Sequence, residues 1–208
     1  MLLFAVSIHE SAHGWMAEKF GDPTARMQGR ITLNPIPHID LVGSIIFPIF
    51  LYLMGSSAIF GWAKPVIWNP YNVRNYRRAN IFISAAGPGS NIISGFVGTV
   101  VFLILKRFGL VDPIPLFFAS EAKPGLLTII ISSFILTNIF LAIFNMIPVP
   151  PLDGSGIVEG LLHGDALYNY QKLKPYGFII LILILYTGVL NIIARPILIL
   201  VANILIRG

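Results

Sequence analysis

The sequence predicts an all-α membrane protein, a polytopic bundle of transmembrane helices with a short β-hairpin-like segment after the first helix. Of the 208 residues, 56% are hydrophobic and only 11% are charged, whereas a soluble domain carries about 25% charged residues. The chain therefore has too few polar side chains to cover a water-soluble globule. Two uncharged runs, residues 79–105 and 125–147, each exceed the roughly 20 residues that a helix needs to cross a bilayer.

The other elements follow from the order of apolar and polar stretches, and the length allows one compact domain over residues 1–208. In residues 25–33, polar side chains alternate with apolar or small ones, which predicts short strands. Arg195–Pro196 ends the last long apolar run, because proline disrupts a helix interior. No cleavable signal peptide is expected, since the apolar start lacks a basic leader. The predicted spans and a short tail helix cover residues 2–20, 79–105, 125–147, 176–194 and 197–206.

Residues 41–60 are uncharged and long enough to span a membrane, but Pro48 lies inside them. If this segment crossed fully, basic residues would lie on both faces and the positive-inside bias would cancel. If it enters and returns on one side, most basic residues share one face and few lie on the other. The rule therefore favours a re-entrant segment over the alternative, a kinked full crossing. The shared face would carry Lys19, Arg26, Arg30, Lys64, Arg74, Arg77, Arg78, Lys172 and Lys174, and the other face Lys106, Arg107 and Lys123.

The net charge of +5 comes from Lys and Arg scattered between apolar runs. This pattern is typical of topology signals and lipid headgroup contacts, so the bilayer is the expected partner and nucleic acid is not. Cysteine is absent, which excludes disulfides, a thiol nucleophile and a cysteine metal site.

The string HESAH at residues 9–13 carries the strongest chemical signal. On a helix, His9 and His13 share one face because they are four residues apart. Both imidazoles can therefore bind one metal ion, and Glu10 stands beside them to take a proton from the attacking water, as in zinc proteases. Ionisable side chains on an apolar helix are costly in a membrane, which favours a functional role over a structural contact between helices.

A catalytic zinc usually takes three protein ligands and leaves a fourth position open. The candidate for the third ligand is Asp153 in NMIPVPPLDG, residues 145–154, which directly follows the apolar run 125–147. The prolines end that helix, and Gly154 frees the backbone beside the carboxylate. On the residues alone, Asp153 is equally suited to cap the helix that follows, because Asp is a common capping residue.

HESAH on a membrane helix, together with NMIPVPPLDG on a later one, resembles the site-2 protease family of intramembrane zinc metalloproteases, in its compact prokaryotic branch without a PDZ domain. The resemblance implies that His9, His13 and Asp153 bind one Zn²⁺ and that Glu10 is the base. It also implies a multi-pass protein of the cell membrane, with the zinc nearer the cytosolic face and single-span membrane proteins as substrates. Further matching strings are GDPTA (21–25), GR (29–30), NPIPHID (34–40), GWAKPV (61–66) and AGPGSN (86–91).

Two further residues are candidates for contact with a substrate. Asn145 could donate a hydrogen bond to the oxyanion, or it could hold the backbone where the helix ends. His38 could approach the metal or a substrate carbonyl, but bonding to the local backbone is favoured because a functional His needs a placed partner. The small residues around Gly87 allow close packing on the HESAH helix, with Asn91 hydrogen-bonded across that interface.

The predicted function is hydrolysis of peptide bonds in transmembrane or membrane-proximal segments of substrate proteins. The alternative is a non-proteolytic zinc-binding polytopic membrane protein, such as a transporter or a sensor, with the same ligands. Glu10 favours the protease, because storage or transport of a metal needs ligands but no base at that spacing.

Overall fold

The structure is a computed structural model that describes residues 1–55, 61–112 and 124–207, and every regular element within these ranges is a helix. The predicted helical class is therefore confirmed. The elements in chain order are α1 (Leu2–Lys19), α2 (Thr24–Met27), a 3₁₀ turn (Ile36–His38), a π-helix (Leu41–Ile46), α3 (Phe47–Leu53), α4 (Tyr76–Arg107), α5 (Leu126–Asn145), α6 (Asp153–Leu161), α7 (Gly164–Gln171), a second 3₁₀ turn (Lys174–Tyr176), α8 (Gly177–Thr187) and α9 (Val189–Arg207).

The β-hairpin-like segment predicted after the first helix is wrong, because residues 25–33 contain a helical turn and bends but no strand. Asp22 accepts hydrogen bonds from the backbone amide and the hydroxyl of Thr24, which starts α2. The chain then turns back, and the Arg30 amide donates to Ala25 O at 2.9 Å. The alternation of polar residues thus comes from a compact turn that buries Arg30, and not from a strand with one exposed face.

The helix α4 is the centre of the bundle: α1, α5 and α6 pack against it, and α9 packs against α5. α1 and α4 are antiparallel, since Ala17 near the end of α1 packs against Ala79 near the start of α4. Further along α4, Asn91 donates a hydrogen bond to the first turn of α1. By length and composition, α4, α5 and α9 can cross a membrane, and the first two correspond to the predicted spans over 79–105 and 125–147.

The C-terminal helices divide at a different place from the one expected. The sequence predicted a span over 176–194 and a tail helix over 197–206, but the break lies at Gly188, whose φ of 74° ends α8 in the left-handed conformation. Pro196 lies inside α9 instead of ending a helix. Proline is tolerated in helices of membrane proteins, because neighbouring groups can satisfy the backbone carbonyl that it leaves unpaired.

The described part of the segment 41–60 is one continuous helical run that begins as a π-helix and continues as α3. Its π-helix and α3 together reach Leu53, about 20 Å of helix at 1.5 Å per residue, which is short of the roughly 30 Å of bilayer hydrocarbon. The Trp62 amide then donates to Gly43 O at 3.2 Å, so the chain has returned to the start of the π-helix. The last five residues of this segment, and Lys123, lie outside the described residues.

Asp22 joins the end of α1 to the segment that leads into α4. Its buried carboxylate accepts hydrogen bonds from the Asn69 backbone amide at 2.6 Å and from the Asn72 side chain at 2.7 Å, in addition to those from Thr24. Burial raises the pKa of Asp22, but these hydrogen bonds outweigh it and hold the pKa below its usual value. The ionised Asp22 carboxylate therefore stabilises the fold. This stabilisation is fully present above the pKa of an aspartate in the unfolded chain, about 3.9. It is lost as the pH falls through the lower pKa of Asp22 in the folded protein.

Asp22→Asn is expected to lower the thermal midpoint of the protein in detergent, because one side-chain amide cannot accept hydrogen bonds from all of these donors. The free energy of unfolding is expected to fall by about 1–3 kcal/mol. The midpoint of the variant should also fall less steeply than that of wild type as the pH is lowered from about 5 to 2. Asp165→Asn, at an exposed position on α7, is the control and should shift the midpoint little. An unchanged midpoint in Asp22→Asn would contradict this role.

Candidate metal centre

Three side chains from two distant parts of the chain meet beside α4. α1 places His9 and His13 one turn apart, and their Nε2 atoms lie 3.1 Å from each other. Asp153, the first residue of α6, places Oδ2 at 3.0 Å from His9 Nε2 and Oδ1 at 3.3 Å from His13 Nε2. The structure thus brings together the three residues that the sequence predicted as ligands.

The donor atoms of this cluster suit a tetrahedral zinc ion. Ligands at about 2.0–2.1 Å from a tetrahedral zinc lie about 3.3 Å from one another, close to the separations measured here. Both imidazoles point Nε2 at the carboxylate, while their Nδ1 atoms lie 2.6 Å from oxygens elsewhere, Asn91 Oδ1 for His9 and Ile83 O for His13. Asp153 Oδ2 is buried without a hydrogen-bond donor. Unpaired acceptors that face one another in a buried site are the environment that a cation would stabilise.

Asp153 does not act as a helix cap in this structure. Leu152 is the N-cap of α6, and no side-chain hydrogen bond caps that end. Ahead of it, the chain leaves α5 through a tight turn that contains a cis Pro150–Pro151 peptide bond. A Cβ at Gly154 would lie 2.4 Å from Met146 O. This close approach of the backbone places the start of α6, and with it the Asp153 carboxylate, opposite the imidazoles of His9 and His13.

Gly87 on α4 allows the two histidines to approach that helix. A Cβ at this position would lie 2.4 Å from His13 Nε2 and 2.6 Å from His9 Nε2. The sequence indicated close packing here, but it did not reveal that the space beside this glycine is filled by the nitrogens of the candidate ligands themselves. A Cβ on Gly89 would meet nothing within 4 Å, so the close approach of the histidines requires glycine at position 87 and not at position 89.

Glu10 borders the same cavity as the histidines, and a backbone amide holds its carboxylate. The Val66 N–H donates to Glu10 Oε2 at 2.8 Å. The segment that carries Val66 is held in turn by Arg30, which is 6% exposed and whose Nη2 donates to Lys64 O at 2.6 Å and to Pro65 O at 3.0 Å. Neither Arg30 nor Val66 was predicted from the sequence to be part of the site. The only available signal was that both lie in strings shared with the resembled family.

A cavity of about 190 Å³ opens beside the three candidate ligands. This volume is far larger than the roughly 10–15 Å³ that one water molecule requires. Asn145, at the end of α5, borders this cavity and donates one amide hydrogen to Leu141 O at 3.0 Å. The cavity wall is completed by Pro65, Val66, Trp68, Ile83, Ser84 and Pro151.

His38 does not border this cavity. It is 2% exposed, and its Nε2 lies 3.0 Å from Thr32 O. Its own carbonyl accepts a hydrogen bond from the Lys64 amide at 2.9 Å. Ser11 of the HESAH helix also donates to Thr32 O, at 2.6 Å. His38 is thus placed for the backbone-bonding role that the sequence favoured, and it shares the acceptor Thr32 O with Ser11 of α1.

The structure is a bundle of apolar helices, as expected for a membrane protein. Within it, two imidazoles, a facing carboxylate and a neighbouring glutamate form the kind of site that metallopeptidases have. The chain belongs to Peptidase family M50, whose family model matches residues 1–187. The family and the apolar helices together make it a multi-pass membrane protein.

Relatives resemble the chain over nearly all of its length. It is 34% identical over 197 residues to "Putative zinc metalloprotease YwhC" of Bacillus subtilis (strain 168), an alignment that covers 95% of this chain and 83% of that protein. It is 27% identical over 190 residues to "Putative zinc metalloprotease Rip2" of Mycolicibacterium smegmatis, covering 91% of this chain and 66% of that protein. No solved structure matches the chain.

Proposed function

We propose that this chain is an intramembrane zinc metalloprotease that hydrolyses peptide bonds in transmembrane or membrane-proximal segments of single-span membrane proteins. The observation that carries the proposal is the convergence of His9, His13 and Asp153, with separations of 3.0–3.3 Å between their facing atoms, beside a cavity that also contains Glu10. Membership of Peptidase family M50 supports the same function.

His9 Nε2, His13 Nε2 and one Asp153 oxygen would hold the zinc. When bound there, zinc would act as a Lewis acid that polarises the scissile carbonyl and lowers the pKa of the attacking water. Two histidines and one carboxylate form a ligand set typical of catalytic zinc, which leaves a position open for substrate.

Glu10 is the general base in this proposal. The Val66 amide holds Oε2, so we assign Oε1 as the oxygen that takes the proton from the attacking water. As the C–N bond breaks, the same carboxyl group returns that proton to the leaving amine nitrogen. The hydrogen bond from Val66 fixes the orientation of the carboxylate before substrate arrives, which lowers the entropic cost of reaching the reactive geometry.

Asn145 is assigned as a donor to the oxyanion. An amide nitrogen carries two hydrogens, and only one of them is needed for the bond to Leu141 O. The second can point into the cavity that Asn145 borders together with Asp153. A donor placed where negative charge develops stabilises the transition state more than the ground state.

We place the zinc site nearer the cytosolic face. The antiparallel packing of α1 on α4 puts Lys19, Arg77 and Arg78 at one end of the bundle, while α4 carries Lys106 and Arg107 at the other. Gly87, which marks the site on α4, is about 17 Å from the first end of that helix and about 30 Å from the other, at 1.5 Å per residue. The positive-inside rule assigns the more basic end to the cytosol, and the return of the chain from Gly43 to Trp62 supports a re-entrant segment on that side.

The alternative, a zinc transporter or sensor, is not favoured. It would explain the ligand cluster, but it gives no role to a glutamate that borders the cavity and is held there by a backbone amide.

The test is cleavage of a single-span membrane protein by the purified chain in detergent, with the zinc content measured in parallel. Wild type should hold about one zinc per chain, as a three-ligand site predicts, and a chelator should stop cleavage until zinc is restored. Asp153→Ala should lose both zinc and cleavage, whereas Asp165→Ala, at an exposed position on α7, should keep both. Cleavage that survives both the chelator and Asp153→Ala would exclude a zinc mechanism.

A further inference from the structure

Two fully buried side-chain amides form a chain of hydrogen bonds that ends on His9. Asn91 lies on α4 and Asn138 on α5, and each is 0% exposed. Asn138 Nδ2 donates to Phe134 O at 2.8 Å, and Asn91 Nδ2 donates to Asn138 Oδ1 at 2.8 Å. Asn91 Oδ1 lies 2.6 Å from His9 Nδ1. The chain therefore connects the backbone of α5, through α4, to a candidate zinc ligand on α1.

The direction of this chain is fixed by its backbone ends. Phe134 O can only accept, so Asn138 presents its nitrogen to that carbonyl and its oxygen to Asn91. Asn91 Nδ2 has a second acceptor in Ala5 O at 3.2 Å, so Asn91 must present its oxygen to His9. The hydrogen-bond network thus assigns the proton of His9 to Nδ1. Its Nε2 keeps the lone pair that faces the other candidate ligands.

His13 obtains the same orientation from the backbone of α4. Its Nδ1 lies 2.6 Å from Ile83 O, and a carbonyl also can only accept. An oxygen of α4 therefore lies behind the Nδ1 atom of each histidine. For His13 it is the main-chain oxygen of Ile83, and for His9 it is the side-chain oxygen of Asn91. An oxygen acceptor behind a ligating histidine fixes its tautomer and ring orientation and increases its basicity.

We propose that Asn91 is a positioning residue that holds His9 in the tautomer and orientation that bind metal, and that Asn138 holds Asn91 in turn. This inference rests on the zinc site of the proposed function. It also explains why two amides are buried among apolar helices, where each would be costly without hydrogen-bond partners. One of the two hydrogen bonds that Asn91 Nδ2 donates goes to the backbone of α1, so the same residue also ties α1 to α4.

The test measures zinc affinity by competition with a chromophoric chelator, on the full chain in detergent. Asn91→Ala removes the oxygen behind His9 and should weaken zinc binding about 10–100-fold, the usual cost of losing such a partner. Asn138→Ala should weaken it less, because the Asn91 amide keeps Ala5 O as an acceptor. Asn91→Asp keeps an oxygen acceptor behind His9 Nδ1 but loses the two hydrogen bonds that Asn91 Nδ2 donates. This variant should therefore be less stable than wild type, yet it should bind zinc more tightly than Asn91→Ala.

Asn80→Ala is the matched control for the loss of a buried amide between helices. Asn80 lies on the same helix, is 7% exposed, and donates its hydrogen bond to Gly156 O at 2.8 Å and not to a histidine. Its removal should lower the thermal midpoint but leave the zinc affinity unchanged. The visible spectrum of bound Co²⁺ gives a second measure, which should change in Asn91→Ala, because the His9 ring is free to turn, and should not change in Asn80→Ala.

Three results would overturn the proposal. The first is wild-type zinc affinity in Asn91→Ala, and the second is an equal loss in Asn91→Asp and Asn91→Ala. The third is an equal loss in Asn80→Ala, which would indicate general loosening of the bundle. If the proposed proteolytic function is wrong, the results will differ from these three. A wild type that binds zinc through Asp153 but cleaves no substrate, with the ranking of Asn variants intact, would refute the protease and leave the positioning role in place.

Discussion

Glu10→Gln is expected to lower the rate of substrate cleavage by about 10²–10⁴-fold, the range that a general base contributes, while the protein keeps its zinc. Glutamine has nearly the same shape as glutamate, and its oxygen can still accept the hydrogen bond from the Val66 amide. It cannot take a proton from water at neutral pH. The loss should therefore fall on the chemical step, measured as the rate of product formation at saturating substrate, and not on the zinc content.

Glu18→Gln on the same helix is the control for Glu10→Gln. Glu18 pairs with Arg26 at the end of α1, away from the cavity, so its replacement should leave cleavage close to wild type. If Glu10→Gln cleaves as fast as wild type, Glu10 is not the base. If it loses zinc, Glu10 is a ligand, and the assignment of the other three residues must be revised.

Gly87→Ala is expected to abolish zinc binding under conditions in which wild type is saturated, and cleavage with it. The added Cβ would lie 2.4 Å from His13 Nε2 and 2.6 Å from His9 Nε2, distances that side-chain carbons do not tolerate. To relieve this contact, either the imidazoles must turn away or α1 must move off α4. Both displace the ligand nitrogens, so the effect should be at least as large as the roughly 10–100-fold cost of losing a ligand's hydrogen-bond partner.

Gly89→Ala is a closely matched control, because it makes the same substitution two residues along α4, where a Cβ meets nothing within 4 Å. Alanine is the better helix former by about 1 kcal/mol, so this variant should be as stable as wild type or more stable, with unchanged zinc affinity. Unchanged zinc affinity in Gly87→Ala would indicate that α1 and α4 are further apart in the membrane than in this structure.

Much of the candidate site was predictable because it depends on local spacing. The four-residue separation of His9 and His13 sets them on one helix face whatever surrounds them. The prolines between Asn145 and Asp153 end α5, which brings both residues to the same level of the cavity. The long apolar runs of α4 and α5 were equally clear, since a bilayer sets their length.

The remaining features depend on contacts between distant segments. Arg30 was expected among the alternating polar side chains of a strand, but it is buried and donates to carbonyls of the segment at 64–65. Pro196 was expected to end a helix, but the chain breaks at Gly188, which takes the left-handed conformation without strain. Asn91 was expected to form a hydrogen bond across the interface with α1, but the acceptance by its oxygen of a bond from His9 Nδ1 depends on positions far apart in sequence. Spacing within one segment predicts none of these.

The position of Asp153 in the chain determines when the protease can first act. A nascent chain releases α1 long before α6, because synthesis proceeds from the N-terminus. Until residue 153 has emerged and α6 has packed on α4, the two histidines lack their carboxylate, and an isolated histidine pair holds metal weakly. A chain that has emerged only as far as α5 is therefore expected to lack the complete candidate zinc site. This order of assembly would delay activity until the bundle has folded, as a pro-segment does in other proteases until it is removed.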